Sequence, residues 1–208
     1  RIVGRKDGKR VVVQELRQDF LWFTGHRLRE RGNRSRFFMD SVRSKLEGQE
    51  REFAVYLPPS YLKNPDRTYP TVYLLHGING GAAEWATRDI DDRIDRLVRR
   101  KGIAESVVVM PDGESLWYVD SSESPWRSMF VQEMVPTVDR WYRTKQRRGM
   151  RGLTGVSMGG HGAFTIGWSQ PQLFSSIASH MGALDLPPLA GDQEDQARNA
   201  GEAPTVQV

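Results

Sequence analysis

In the stretch Met150-Arg151-Gly152-Leu153-Thr154-Gly155-Val156-Ser157-Met158-Gly159-Gly160-His161-Gly162-Ala163, a short apolar segment runs into a glycine-framed serine. An amphipathic pattern follows it. The segment Gly155–Gly159 matches G-x-S-x-G. The pattern becomes specific in context: a strand over Met150–Thr154 precedes it and a helix over Met158–Trp168 follows, as a nucleophile elbow requires. Such a turn lifts Ser157 above the sheet. The residues two before and two after approach so closely that only small side chains fit, hence Gly155 and Gly159. The helix N-terminus then lies beneath a reacting carbonyl, where negative charge develops. The competing reading is a plain Gly-rich strand–helix connection or a phosphate cradle, but neither G-x-x-x-x-G-K-[ST] nor G-x-G-x-x-G is present.

Working outward, the same alternation recurs. Thr71–His76 is a continuous apolar strand, which implies burial on both faces. A Gly-rich loop over Gly77–Ala83 follows. Ile90, Ile94, Leu97 and Val98 then mark an amphipathic helix. Glu105–Met110 is a second buried strand, stopped by Pro111-Asp112-Gly113. Pro125–Tyr142 reads as one helix with Phe130, Met134, Val138 and Trp141 on its apolar face. Phe174–Ser179 reads as a fourth strand. Ahead of these, Phe37–Val42 and Glu52–Leu57 are strands, the second alternating with period two. The expectation is an α/β fold: a mostly parallel central sheet with helices on both faces and an antiparallel edge from the two leading strands. In such sheets the chemistry gathers at the carboxyl ends of the strands.

Composition fits this. The chain has 208 residues, 38% hydrophobic and 27% charged, which suits one globular domain. The longest apolar runs fall far short of the roughly 18 residues a membrane span needs. There is no Cys, which excludes a disulfide framework, thiolate metal sites and a Cys nucleophile. No His/Asp cluster has metal-ligand spacing, and no cofactor is expected. Residues 1–36 carry 11 Lys/Arg against 4 Asp/Glu. With no nucleic-acid motif beside it, this arm reads as a solvated basic extension. Arg1 stands where Met is expected and no apolar leader follows, so the chain reads as a processed or trimmed product, an exported mature form being favoured over a cytoplasmic one. Residues 186–208 read as loop or tail.

The loop His76-Gly77-Ile78-Asn79-Gly80-Gly81 leaves the first buried strand. There, hydrolases of this build place a loop that donates one oxyanion N–H. Ile78 is expected to donate one and Met158 the other. His76, Gly77, Asn79, Trp85 and Tyr118 are candidate substrate contacts. Trp117 and Trp126 also sit at strand exits, where aromatics line pockets or pack loops. Asp91, Asp92 and Asp95 read as a solvated charged face beside Arg93 and Arg96.

Several motifs in order resemble the esterase-D-type esterases. They are Leu74-Leu75-His76-Gly77-Ile78-Asn79-Gly80 with Trp85; Val109-Met110-Pro111-Asp112-Gly113; Trp117-Tyr118-Val119-Asp120-Ser121; Glu133-Met134-Val135-Pro136; Gly155–Ala163; and Gly182-Ala183-Leu184-Asp185. That family includes tributyrin, feruloyl and acetylxylan esterases, S-formylglutathione hydrolases and mycolyltransferases. The resemblance covers residues 37–185 and implies an α/β-hydrolase domain performing ester chemistry through Ser157. In this fold the acid and the histidine of the triad follow the serine. Only 51 residues follow Ser157, and they hold His161 and His180. His161 reads as packing or helix surface. His180, at the exit of the next strand, is the candidate base. The expectation is a domain whose C-terminal part, with two strands and a helix, is missing. A serine carboxylesterase acting on a small-acyl, carbohydrate or aromatic ester is the leading reading. A non-catalytic binding domain and an acyltransferase using the same nucleophile are the alternatives.

Overall fold

The computed structural model describes residues 35–184 in full and, for residues 3–6 and 9–12, the backbone of a two-stranded antiparallel hairpin, β1 (Val3–Lys6) and β2 (Lys9–Val12). The rest of the expected basic extension and the expected tail lie outside the described residues.

Six strands form one sheet: β3 (Arg36–Arg43), β4 (Glu50–Leu57), β5 (Thr71–Leu75), β6 (Val107–Pro111), β7 (Arg151–Val156) and β8 (Ser176–His180). Their order is β3-β4-β6-β5-β7-β8. β3 pairs antiparallel with β4 and β4 antiparallel with β6, while β5–β6, β5–β7 and β7–β8 are parallel. The Val-rich β6 is buried along its whole length, as a central parallel strand must be. The alternation in β4 is real only at its start, since Ala54–Leu57 are all buried. The reason is position: β4 lies one strand in from the edge and is covered on both faces. The fourth strand begins two residues later than expected, because Phe174 folds into the core before β8 starts.

The helices are α1 (Glu84–Thr87), α2 (Ile90–Arg99), α3 (Trp126–Met129), α4 (Val135–Trp141) and α5 (Met158–Ser169). Two apolar clusters flank the sheet. One gathers Phe53, Tyr73, Leu75, Tyr118, Trp126, Phe130 and Phe174; the other gathers Phe37, Tyr56, Trp85 and Met110. In the first, Trp126 stacks on Phe130 at 5.3 Å and meets Tyr118 edge-on at 4.7 Å. No described helix is long and apolar enough to cross a membrane.

Three expectations need correction. The single helix over 125–142 is interrupted by a π-helical turn, Phe130–Met134. Pro136 has no N–H to bond the carbonyl of Gln132, and its ring crowds that carbonyl; a widened turn relieves both. The α2 face turned to the sheet carries Asp95, which is buried and accepts the Tyr56 hydroxyl at 2.7 Å, whereas Leu97 is 46% exposed. Asp95 is therefore no part of a solvated face. Asp91, half-buried one turn earlier, is pushed above the ordinary carboxyl range mainly by burial.

A buried charge network fixes the loop after β6 to the β3–β4 turn. Glu47 grips Arg51 through two hydrogen bonds of 2.5 and 2.8 Å, and Arg51 reaches Glu114 at 2.5 Å. The Ser124 hydroxyl bonds the Glu47 carboxylate. Burial alone would raise the Glu47 pKa, but the Arg51 and Ser124 contacts hold it below its ordinary value.

Candidate active site

β7 delivers Ser157 to the carboxyl edge of the sheet, and α5 begins one residue later. Ser157 is exposed, with φ 55° and ψ −121°, a conformation that L side chains rarely adopt. Two things over-determine it. Its N–H donates to the His180 carbonyl on the neighbouring strand at 2.8 Å, and its own carbonyl receives the His161 N–H at 3.0 Å. The flanking glycines interlock with backbone. A Cβ on Gly155 would stand 2.2 Å from the Gly159 carbonyl oxygen, and one on Gly159 would stand 2.4 Å from the Leu75 oxygen. Both positions thus require glycine for close approach, as the sequence pattern implied.

The β5 exit loop arrives beside the serine. A Cβ on Gly77 would be 3.5 Å from the Ser157 Cβ. Ile78 is 44% exposed and Asn79 sits at φ 60°, turning the loop outward. Met158 is the first residue of α5, so its N–H has no acceptor within the helix. Among the described residues neither the Met158 nor the Ile78 N–H has a hydrogen-bond acceptor. An open depression of about 560 Å³ lies beside Ile78, lined by Asn79, Gly80, Glu84, Thr87 and Arg88 among others.

The structure redistributes the other candidates. His76, Trp85 and Tyr118 were expected to touch substrate; all three are buried, His76 and Tyr118 completely. Trp85 packs in the second apolar cluster. The Tyr118 ring fills the space over Gly113 and Gly162, and its hydroxyl donates to the His76 carbonyl at 2.9 Å. Trp126, buried too, donates its Nε1–H to the Asp112 carbonyl at 3.0 Å. These aromatics pack the loops rather than line a pocket. Trp117 and Tyr118 stand at φ 54° and 60°, a conformation costly for bulky residues, and their ring contacts hold them there. Asp112, beside the His76 ring at 3.5 Å, was not singled out by sequence reasoning. Burial raises its pKa, but the adjacent His76 ring and the hydrogen bond from the Glu114 N–H outweigh that and hold it low.

His180 closes β8 with its carbonyl on the Ser157 N–H, and its side chain is exposed. No described side-chain hydrogen bond joins it to Ser157, so the expected dyad is not assembled in this arrangement. His161 is buried, against the Trp117 ring, and its Nδ1 bonds the Ala183 carbonyl at 3.0 Å. Burial lowers its pKa, with the Ala183 contact pulling the other way. The unfolded imidazole therefore holds a proton more readily than the folded one. The stability contributed by neutral His161 is complete above the unfolded value of about 6.5, and is lost as pH falls through the lower folded value. The thermal midpoint is expected to drop more steeply between about pH 7.5 and 5 in the wild type than in His161→Gln. Parallel curves would refute that origin.

Comparison with known proteins agrees with this geometry. The family profile described as "Putative esterase" matches residues 44–206. Esterase Rv1288 of Mycobacterium tuberculosis is 34% identical over 192 residues, covering 88% of this chain and 37% of the relative. An S-formylglutathione hydrolase of Paracoccus denitrificans is 30% identical over 65% of this chain and 53% of its own length. Among solved structures, a ferulic acid esterase superposes with TM-score 0.71 at 28% identity, over 76% of this chain and 62% of that one. An S-formylglutathione hydrolase from Agrobacterium tumefaciens follows the same course with TM-score 0.58 at 25% identity, over 71% and 58%. The chain thus spans little more than a third of the length of the first of these relatives. An α/β-hydrolase sheet, a serine raised on a strained strand–helix turn and a matching profile over residues 44–206 lead to one conclusion: the chain belongs to the "Putative esterase" family.

Proposed function

We propose that this chain carries the nucleophile and oxyanion hole of a serine carboxylesterase. Ser157 attacks the ester carbonyl, the alcohol leaves, and water releases the acyl group from the resulting acyl-enzyme. The N–H groups of Met158 and Ile78 take the oxyanion, each donor being worth about 3 kcal/mol in the transition state. The observation that carries this reading is Ser157 itself: exposed, at φ 55°, at the head of α5, with the Met158 and Ile78 amides finding no acceptor among the described residues. His180 is the proposed base to be tested. The depression beside Ile78, with Asn79, Glu84 and Arg88 on its wall, suits the polar part of a small-acyl, carbohydrate or aromatic ester. Several relatives act on such esters by name, among them a feruloyl esterase and an acetyl esterase.

The test is labelling of the folded chain by a fluorophosphonate probe, read by intact mass and peptide mapping. A single adduct on Ser157, lost in Ser157→Ala, is expected. His180→Ala then shows whether that imidazole activates the serine. A second reading, a non-catalytic ester-binding domain, is favoured by the unassembled Ser157–His180 pair; it predicts a folded, unlabelled chain. Transfer to an added alcohol acceptor uses the same acyl-enzyme, and product analysis separates it from hydrolysis.

A further inference from the structure

His76 contributes two hydrogen bonds that together specify one protonation state. Its Nε2 lies 2.9 Å from the backbone N–H of Gly113. A backbone N–H only donates, so Nε2 carries a lone pair; the Asp112 carboxylate stands farther from that nitrogen, at 3.5 Å, and makes no hydrogen bond with it. Its Nδ1 lies 2.7 Å from the Gly77 carbonyl oxygen. A carbonyl only accepts, so Nδ1 carries the proton. The ring is neutral and its tautomer is fixed from both sides.

That second bond acts on the adjoining peptide. The Gly77 carbonyl and the Ile78 N–H belong to one peptide unit, and the described chain has no cis peptide bonds. In a trans peptide the carbonyl and the N–H point in opposite directions. The Gly77 carbonyl is held inward by the His76 Nδ1–H and, at 3.1 Å, by the Gly80 N–H. The Ile78 N–H must therefore point outward, on the segment where a Cβ on Gly77 would stand 3.5 Å from the Ser157 Cβ. The ring cannot drift, because it is fully buried, a Cβ on Gly80 would stand 2.8 Å from its Nδ1, and the Tyr118 ring meets it at 5.7 Å. The Tyr118 hydroxyl clamps the preceding carbonyl, that of His76 itself.

We propose that His76 is a positioning residue: through its Nδ1–H it sets the orientation of the Gly77–Ile78 peptide and so aims the Ile78 N–H at the oxyanion. The proposal rests on the reading of Ser157 as nucleophile. It replaces the expectation that His76 touches substrate, and it explains why a buried histidine stands where a strand enters a catalytic loop. Without the Nδ1 donor, the glycine at 77 leaves the peptide free to turn over, and the carbonyl then faces the developing negative charge.

Two variants separate the roles of the two nitrogens. In His76→Asn the amide nitrogen takes the place of Nδ1 and still donates to Gly77. In His76→Gln the side-chain oxygen takes the place of Nε2 and still accepts from Gly113, but the Gly77 carbonyl loses its donor. The fluorophosphonate labelling rate at Ser157 is expected to fall about 10²–10³-fold in His76→Gln and far less in His76→Asn, at comparable thermal midpoints. Rates that fall equally in both, in step with the midpoint, would overturn the proposal. Long-range ¹H–¹⁵N spectra of the full chain supply a readout independent of activity: Nδ1 protonated and Nε2 bare is expected, and the reverse tautomer also overturns it. A folded wild type that is never labelled defeats the nucleophile reading instead. In that case the tautomer, and a crystal structure of His76→Gln showing the Gly77–Ile78 peptide turned over or unmoved, still decide the proposal.

Discussion

Gly159→Ala is expected to destabilise the fold by about 3 kcal/mol or more, enough to leave little soluble native protein. The added methyl has nowhere to go. It would stand 2.4 Å from the Leu75 oxygen, 2.5 Å from the His76 oxygen and 2.6 Å from the Leu75 carbonyl carbon. All three are backbone atoms of β5 and its exit, so no rotamer change relieves the clash; strand and helix must separate. Gly155→Ala meets the other half of the same interlock, the Gly159 carbonyl at 2.2 Å. Gly149→Ala is the matched control, since a Cβ there has nothing within 4 Å. It is expected to shift stability by no more than about 0.5 kcal/mol. Urea denaturation of the three variants reads the difference. Gly159→Ala unfolding at the same midpoint as Gly149→Ala would show that the interlock does not exist.

The second large effect concerns Ser157. Ser157→Ala is expected to lower ester hydrolysis by about 10³-fold or more, because it removes the proposed nucleophile. Ser157→Gly should be equally inactive but more stable than the wild type. A side chain at φ 55° and ψ −121° costs about 1–3 kcal/mol. Glycine removes that cost and loses roughly 0.5–1 kcal/mol back in chain entropy, for a net gain of about 1 kcal/mol. The pair is read by thermal unfolding beside a p-nitrophenyl acetate assay. A Ser157→Gly protein less stable than Ser157→Ala would mean that the turn is not strained, and an active Ser157→Ala would end the assignment.

Much of the fold was legible because periodicity and punctuation carry it. The unbroken apolar runs of β5 and β6, the glycine-framed serine and the proline stops mark the elements and their order, from which a parallel sheet follows. The elbow was legible for a stronger reason: its geometry forbids side chains at two positions, and the sequence shows glycine at both. What stayed hidden depends on where side chains point. Standing at a strand exit says that His76, Tyr118 and Trp126 are near the site, not that they face inward; the strained backbone at 117 and 118 turns Tyr118 into the core. Asp95 escaped notice because a carboxylate among arginines reads as solvent-facing, and only its partner Tyr56, on β4, brings it inside. The π-turn had a signal in Pro136, but a proline near the end of a periodic run predicts a kink and not its type.

The strand order also sets a timetable for a chain made from its N-terminus. β3 and β4 are separated by residues 44–49 alone, and pair as soon as both exist. β5 lies between β6 and β7, both of which come later. From the end of β5 at Leu75 to the start of β7 at Arg151, residues 76–150 must be added. At about 5–20 residues per second those 75 positions take about 4–15 s. Through that interval the edge of β5 destined for β7 stays unpaired, presenting Tyr73 and Leu75 to whatever the ribosome's surroundings contain. The topology thus leaves one edge of β5 open throughout that interval, and slowing translation between β5 and β7 lengthens it.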